Sequence, residues 1–159
     1  MTALAFVCLG NICRSPTAAA VMSRLVEDAG LSDRITVESA GTAGWHVGEG
    51  PDPRTAGAAR RRGIPMDHVA QQFTSRDFAR FDLVLAMDDD NVDALRRIAP
   101  DDAARHKIHL LRDFDPDSPA GAIVPDPYYG GPSGFEEVID LTTAACEGLL
   151  RRIVDGEAP

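Results

Sequence analysis

An apolar run near the start of the chain ends abruptly in polar and reactive residues: "AFVCLGNICRSP", from Ala5 to Pro16. Ala3–Val7 has the pattern of a short buried strand. Pro16 suits the first turn of a helix, and Ser15 is placed to cap it. A strand that must become a helix within six residues makes a tight loop over the helix N-terminus. Orphan N–H groups and the positive end of the helix dipole meet there, so the loop is expected to hold an anion. Gly10 permits a positive φ and close approach of a ligand, and Asn11 tolerates left-handed geometry too and can tie the loop down with its amide. Leu9, Ile12 and Cys13 fill the remaining loop positions.

Cys8 at the base of this loop and Arg14 at its rim form a Cys-x5-Arg-Ser pattern. Amides that cradle phosphate also stabilise a thiolate, which makes Cys8 a candidate nucleophile. Arg14 brings a planar fork of donors able to grip two phosphoryl oxygens, where a lysine would bring a point charge. The Ser15 hydroxyl can donate to the sulfur as it leaves. A Walker-type nucleotide loop is excluded, because no Gly-Lys-Ser/Thr occurs and Lys107 is the only lysine. Structural zinc is disfavoured, because Cys8 and Cys13 stand apart from His106 and His109 and no second ligand pair has the right spacing.

Charge and hydropathy narrow the partners. A net charge of −9 argues against nucleic acid but allows one small anion in a locally positive cavity. No apolar stretch approaches the roughly 18 residues of a membrane span, and no basic N-terminal region marks a signal peptide. Three cysteines, an odd number, point to free thiols in a reducing compartment. The expected location is therefore cytoplasmic, with export by a signal-less route left open.

Along the chain, Ile35–Glu38, Leu83–Met87 and Ile108–Leu111 repeat the strand pattern, and helical patterns lie between. Met22, Leu25, Val26 and Ala29 share a face closed by Gly30; Pro53–Arg62 ends at Gly63; Asn91–Ile98 follows an aspartate cluster and stops before Pro100. The last helix shows a Ser133/Glu136 capping-box pattern and a long apolar stripe holding Cys146, expected as a core thiol. The alternation predicts an α/β fold, a four-stranded parallel sheet with helices on both faces, in one domain over residues 1–155 with a short frayed tail at 156–159. Gly41–Pro53 and Asp113–Pro132 are loops longer than plain connectors, and loops at strand carboxyl ends line the ligand crevice of such sheets.

Cleaving a phosphate ester through a thiolate leaves an oxygen that needs a proton. Of Asp113, Asp115, Asp117 and Asp126, the last stands out in "VPDPYYGG", stiffened by Pro125 and Pro127 and followed by Tyr128 and Tyr129. Asp115 has the setting of a turn residue. The two tyrosines either wall an aromatic pocket or simply pack the loop; Trp45 is either a loop anchor or the opposite wall.

With Cys8, Arg14 and Asp126 in place, the sequence resembles the low-molecular-weight protein tyrosine phosphatases, in particular bacterial-type members. "VCLGNICRSP" and "DPYYG" match that family's two signatures, and the likeness runs on through "ESAGT", "WHVGEGPDPR", "FDLVLAMDDDN" and "SGFEEV". The resemblance implies hydrolysis of phosphotyrosine in protein substrates without metal or cofactor, and inorganic phosphate or other oxyanions as product or inhibitors. Cys8 would be the nucleophile, Arg14 the phosphate clamp and Asp126 the general acid and base. It implies further that Asn11, Ser15, Ser39 and His68 form a supporting network, that Trp45, Tyr128 and Tyr129 wall the pocket, and that Cys13 can trap Cys8 as a reversible disulfide. A redox relative, arsenate reductase, would need cysteines near the third strand, where "LVLAMDDDNVDALRRI" has none. A non-catalytic phosphate sensor would be expected to lack Cys8, Arg14 or Asp126, and all are present.

Overall fold

The computed structural model describes residues 1–159. Strand β1 (Thr2–Cys8) leads through the loop into helix α1 (Arg14–Asp28), then β2 (Ile35–Gly41) and α2 (Pro53–Arg61). A 3-10 turn (Ser75–Ala79) precedes β3 (Leu83–Ala86), α3 (Asp89–Ile98), the short α4 (Asp102–Arg105) and β4 (Ile108–Leu110). A second 3-10 turn (Leu111–Phe114) and a long loop lead to α5 (Ser133–Val154). All strand pairs are parallel, in the order β2-β1-β3-β4, with Cys8 opposite Gly41 and Val7 opposite Ala86. The α/β architecture expected from the alternating pattern is therefore present.

Because β1 is central it is covered on both faces, and its period-two alternation divides the core. Leu4, Phe6 and Cys8 join the cluster built on α1, α2 and α5, with Met22 and Leu149. Ala5 and Val7 join the opposite cluster of Phe73, Phe78, Phe81 and Leu95. Cys146 is fully buried in the first cluster, and burial pushes its thiol up. The chain moves outward from β1 to β2 and then crosses back past β1 to β3 on its other side, so the carboxyl end of β1 lies at the switch point where open α/β sheets bind ligands.

Several local expectations change. Ser15 does not cap α1: the helix begins at Arg14, Cys13 takes the N-cap position without a side-chain bond, and the Ser15 hydroxyl is used elsewhere. The Ser133/Glu136 capping box is absent, since Pro132 is the N-cap and Glu136 instead pairs with Arg61 and Arg62 across to α2 at 3.2 and 3.0 Å. Capping does operate at α3, where Asp88 accepts from Asn91 N at 2.8 Å. Strand β2 runs on to Gly41, so the first long loop begins one residue later. In the second, Asp115 accepts from Asp117 N at 2.9 Å in the turn expected of it. At the chain end Gly156 turns left-handed (φ 72) and Glu157 N–H returns to Arg152 O at 2.8 Å. No helix is long and apolar enough to cross a membrane.

Helix α5 comes so close to the 3-10 turn at Leu111–Phe114 that a Cβ on Gly148 would collide with the Phe114 carbonyl oxygen. Gly148→Ala is expected to destabilise the protein by about 1–3 kcal/mol, as overpacking does. A thermal or urea unfolding midpoint equal to that of the parent would contradict this.

Candidate active site

The loop between β1 and α1 is shaped by what its carbonyls touch. Thr42 N–H donates to Cys8 O and Ala43 N–H to Leu9 O, both at 2.9 Å; Asp52 N–H donates to Ile12 O at 2.9 Å; the Thr17 hydroxyl donates to Cys13 O at 2.8 Å. His68 Nε2 donates to Asn11 O at 2.7 Å. A trans peptide places its N–H opposite its C=O. Turning these carbonyls outward therefore turns the N–H groups of Leu9, Gly10, Ile12, Cys13 and Arg14 inward, and none of them donates to a protein acceptor. The result is a ring of donors at a helix N-terminus.

Asn11 makes this possible. It is completely buried and is the one non-glycine residue with positive φ (58°). Its amide nitrogen donates to Ser15 Oγ at 2.8 Å and Ser39 Oγ at 3.0 Å, while its side-chain oxygen accepts from Gln71 N at 2.9 Å. The left-handed residue is thus Asn11 and not Gly10, which has no positive φ. Gly10 is needed for space: a Cβ there would lie 3.1 Å from His46 Cδ2. Gly41 is more tightly constrained, since a Cβ would sit 2.7 Å from the backbone oxygen of Leu9 beneath the loop.

Cys8 and Ser15 face each other at 2.9 Å between sulfur and hydroxyl oxygen. Ser15 already accepts from Asn11, so its own hydrogen can point at the sulfur at 2.9 Å or at the more distant Ala40 O at 3.4 Å. Arg14 is 3% exposed, and its Nη1 donates to Asp88 Oδ2 at 2.5 Å and to Val124 O at 3.1 Å. Burial alone would lower the guanidinium's pKa, but the charges of Cys8, Asp88 and Asp126 outweigh it and hold the group above its ordinary value. Its Nη2 lies 3.6 Å from Asp126 Oδ2, the carboxylate singled out by its flanking prolines. Asp126 is 43% exposed and accepts from Tyr128 N at 3.0 Å.

These groups line one cavity of about 170 Å³, with Cys8, Arg14 and Asp126 set against Leu9, Gly10, Ile12 and Cys13. Trp45, Tyr128 and Tyr129 form its mouth, the two tyrosine rings edge to face at 5.0 Å. Ser39 and His68 lie outside it, in a wider groove of about 600 Å³ behind the loop, where they touch Asn11. Cys13 is a free thiol that burial pushes up to about 12, so it is neutral at physiological pH.

Two residues went unread in the sequence. Asp88 was visible only as a helix cap, although its position just past β3, at the same sheet edge as Cys8, was the available signal for a second role. His46 lines the cavity with its ring edge over Gly10 and bonds Glu49 through Nδ1 at 2.9 Å. Nothing in its local sequence marks that contact.

A donor ring at the switch point of a parallel sheet, with a thiol, a guanidinium and a carboxyl group in one cavity, is the layout of an α/β protein that handles phosphate esters. Comparison with known proteins gives the family. Residues 3–157 match the family described as low molecular weight phosphotyrosine protein phosphatase. A Streptomyces coelicolor low molecular weight protein-tyrosine-phosphatase is 51% identical over 157 residues, covering 96% of each chain. The human low molecular weight phosphotyrosine protein phosphatase is 45% identical, covering 92% of each. A crystal structure of an Entamoeba histolytica protein tyrosine phosphatase, with Hepes in the active site, superposes with a TM-score of 0.94 at 39% identity, over 99% of this chain and 100% of that one. The chain belongs to the low molecular weight phosphotyrosine protein phosphatase family, a family of hydrolases.

His68 offers a test of the loop's support. Burial lowers its pKa from 6.5, with the bond to Asn11 O opposing. Below about pH 6.5 the unfolded chain therefore takes up a proton that the folded one refuses, and stability falls as pH drops toward the folded pKa. His109, also lowered by burial, adds a loss of the same sign. Between about pH 7 and about pH 5, His68→Gln, which keeps a donor for Asn11 O, is expected to lose less stability than the parent. Identical pH profiles of the unfolding midpoint would contradict this.

Proposed function

We propose that the protein hydrolyses phosphotyrosine in protein substrates through a cysteinyl-phosphate intermediate. The placement of Cys8, Arg14 and Asp126 around a single cavity carries this reading, with Asp126 Oδ2 3.6 Å from the guanidinium that would hold the phosphoryl group. The phosphate sits in the inward N–H ring with its equatorial oxygens on Arg14. The Cys8 thiolate attacks phosphorus, the bond to the tyrosyl oxygen breaks, and that oxygen takes the proton of the Asp126 carboxyl group. Water then attacks the phosphocysteine, Asp126 removes its proton, and the S–P bond breaks to give thiolate and inorganic phosphate. Ser15, bonded to the sulfur, stabilises the departing thiolate.

Tyr128, Tyr129 and Trp45 form an aromatic mouth suited to the ring of the substrate tyrosine. Binding of other oxyanions is supported by the Entamoeba relative, whose active site holds Hepes, a sulfonate. Three free thiols fit a reducing, cytoplasmic setting.

Cys8→Ser is expected to abolish product release from aryl phosphates while leaving inorganic phosphate bound, because a serine hydroxyl supplies no comparable nucleophile. Residual turnover would remove Cys8 from the mechanism. Asp126→Ala is expected to lower kcat/KM for phenyl phosphate by about 10²–10⁴, and much less for 2,4-dinitrophenyl phosphate, whose leaving group needs no proton. Equal losses on the two esters would assign the acid to another residue.

A further inference from the structure

The segment Pro125–Gly130 carries the proposed acid, yet one hydrogen bond alone ties it to the rest of the protein. Arg54 Nη1 donates to Tyr128 O at 3.0 Å. Its other hydrogen bonds are local: Tyr128 N to Asp126 Oδ1 and Gly130 N to Pro127 O, both at 3.0 Å. The remaining polar tie is the 3.6 Å approach of Asp126 to Arg14. Two prolines stiffen the segment internally but do not fix where it sits.

Arg54 stands in the first turn of α2 and is itself anchored. Its Nε and Nη2 donate to Asp52 Oδ1 and Oδ2 at 3.1 and 2.8 Å. Asp52 is buried, caps α2 through Arg54 N at 2.8 Å, and donates its own N–H to Ile12 O of the phosphate loop. The guanidinium lies 5.2 Å from the Tyr128 ring centroid and 4.8 Å from that of Phe135, inside the range of cation–π contact. A continuous path thus runs from the nucleophile's loop through Asp52 and Arg54 to Tyr128, whose N–H holds the Asp126 carboxylate.

We propose that Arg54 is a positioning residue for phosphoryl transfer: it sets the height of Asp126 and of the Tyr128 ring above the phosphate loop, acting through Tyr128. It rests on the assignment of Asp126 as general acid. The task suits arginine because one rigid fork must serve two carboxylate oxygens and a carbonyl in different directions, which a lysine ammonium on a flexible stem cannot reproduce. Each bond is partly exposed and modest alone. The leverage is geometric, since a displacement of about 1 Å at a reacting group costs up to about 10²-fold in rate.

The test compares Arg54→Ala, Arg54→Lys, Asp126→Ala and the Arg54→Ala/Asp126→Ala double variant on phenyl phosphate and 2,4-dinitrophenyl phosphate. Arg54→Ala is expected to lower kcat/KM for phenyl phosphate by roughly 10–100-fold, and for the dinitrophenyl ester by only about twofold. Arg54→Lys should show the same leaving-group selectivity at smaller amplitude, and it reports even if the alanine variant fails to fold. In the Asp126→Ala background, Arg54→Ala should add nothing on phenyl phosphate, because the two act as one unit. Equal loss on both esters, or multiplicative losses in the double variant, would overturn the role given to Arg54. A parent protein that turned over neither ester would instead overturn the phosphatase assignment itself, a different and separately visible result.

Discussion

The site depends on the backbone of one residue being held in the left-handed region. Asn11 tolerates φ 58° and is pinned there: both hydrogens of its amide, its side-chain oxygen and its main-chain carbonyl are all engaged, by Ser15, Ser39, Gln71 and His68. A glycine would reach the same φ at less steric cost but would bring no amide to be pinned. Reversing the chain at this point is what lets the flanking carbonyls face out and their N–H groups face in. The cradle is preorganised, so little reorganisation remains to be done when charge arrives.

Arg14 answers that constraint with the opposite charge. A cation only 3% exposed would be costly unpaired. Asp88 and the Val124 carbonyl occupy one side of the guanidinium, and Asp126 approaches the other. Asp88 meanwhile caps α3, so a single carboxylate joins the dipole of that helix to the orientation of the Arg14 guanidinium. The surface pairs of Arg62 with Glu136 and Asp140 serve a different end, holding α2 against α5 and thereby steadying the turn from which Asp52 and Arg54 project.

What the sequence disclosed divides by distance along the chain. The strand, the loop and α1 were legible because hydrophobic period, Ser-Pro and Cys-x5-Arg all act within a few residues. Asp126 could be chosen among four aspartates because its prolines and tyrosines are adjacent. Where long-range partners decide, local rules misled: Ser15 has the chemistry of a cap but faces sulfur and the Asn11 amide, and Glu136 fits a capping box but is drawn to arginines of α2. Gly10 and Asn11 both fit a positive φ by local rules, and Asn11's distant partners decide between them. Ser39 and His68 entered only through family resemblance, since 28 and 57 residues separate them from the asparagine they hold. His46 gave no local sign of reaching the cavity, and Asp88 had only its place just past β3 to suggest that it would pair with Arg14.

The strand that bears Cys8 precedes in the chain almost everything that shapes its loop. Thr42 and Ala43 fix its first carbonyls, His68 and Gln71 its turn, Asp88 its cation, and Tyr128 N–H the carboxylate that completes it. Contacts so far apart in sequence carry a larger loop-closure cost and slow folding. A partly synthesised chain with only its first βαβ unit emerged therefore holds Cys8 without its cradle, and the proposed chemistry waits for the segments out to Tyr128 to close around it.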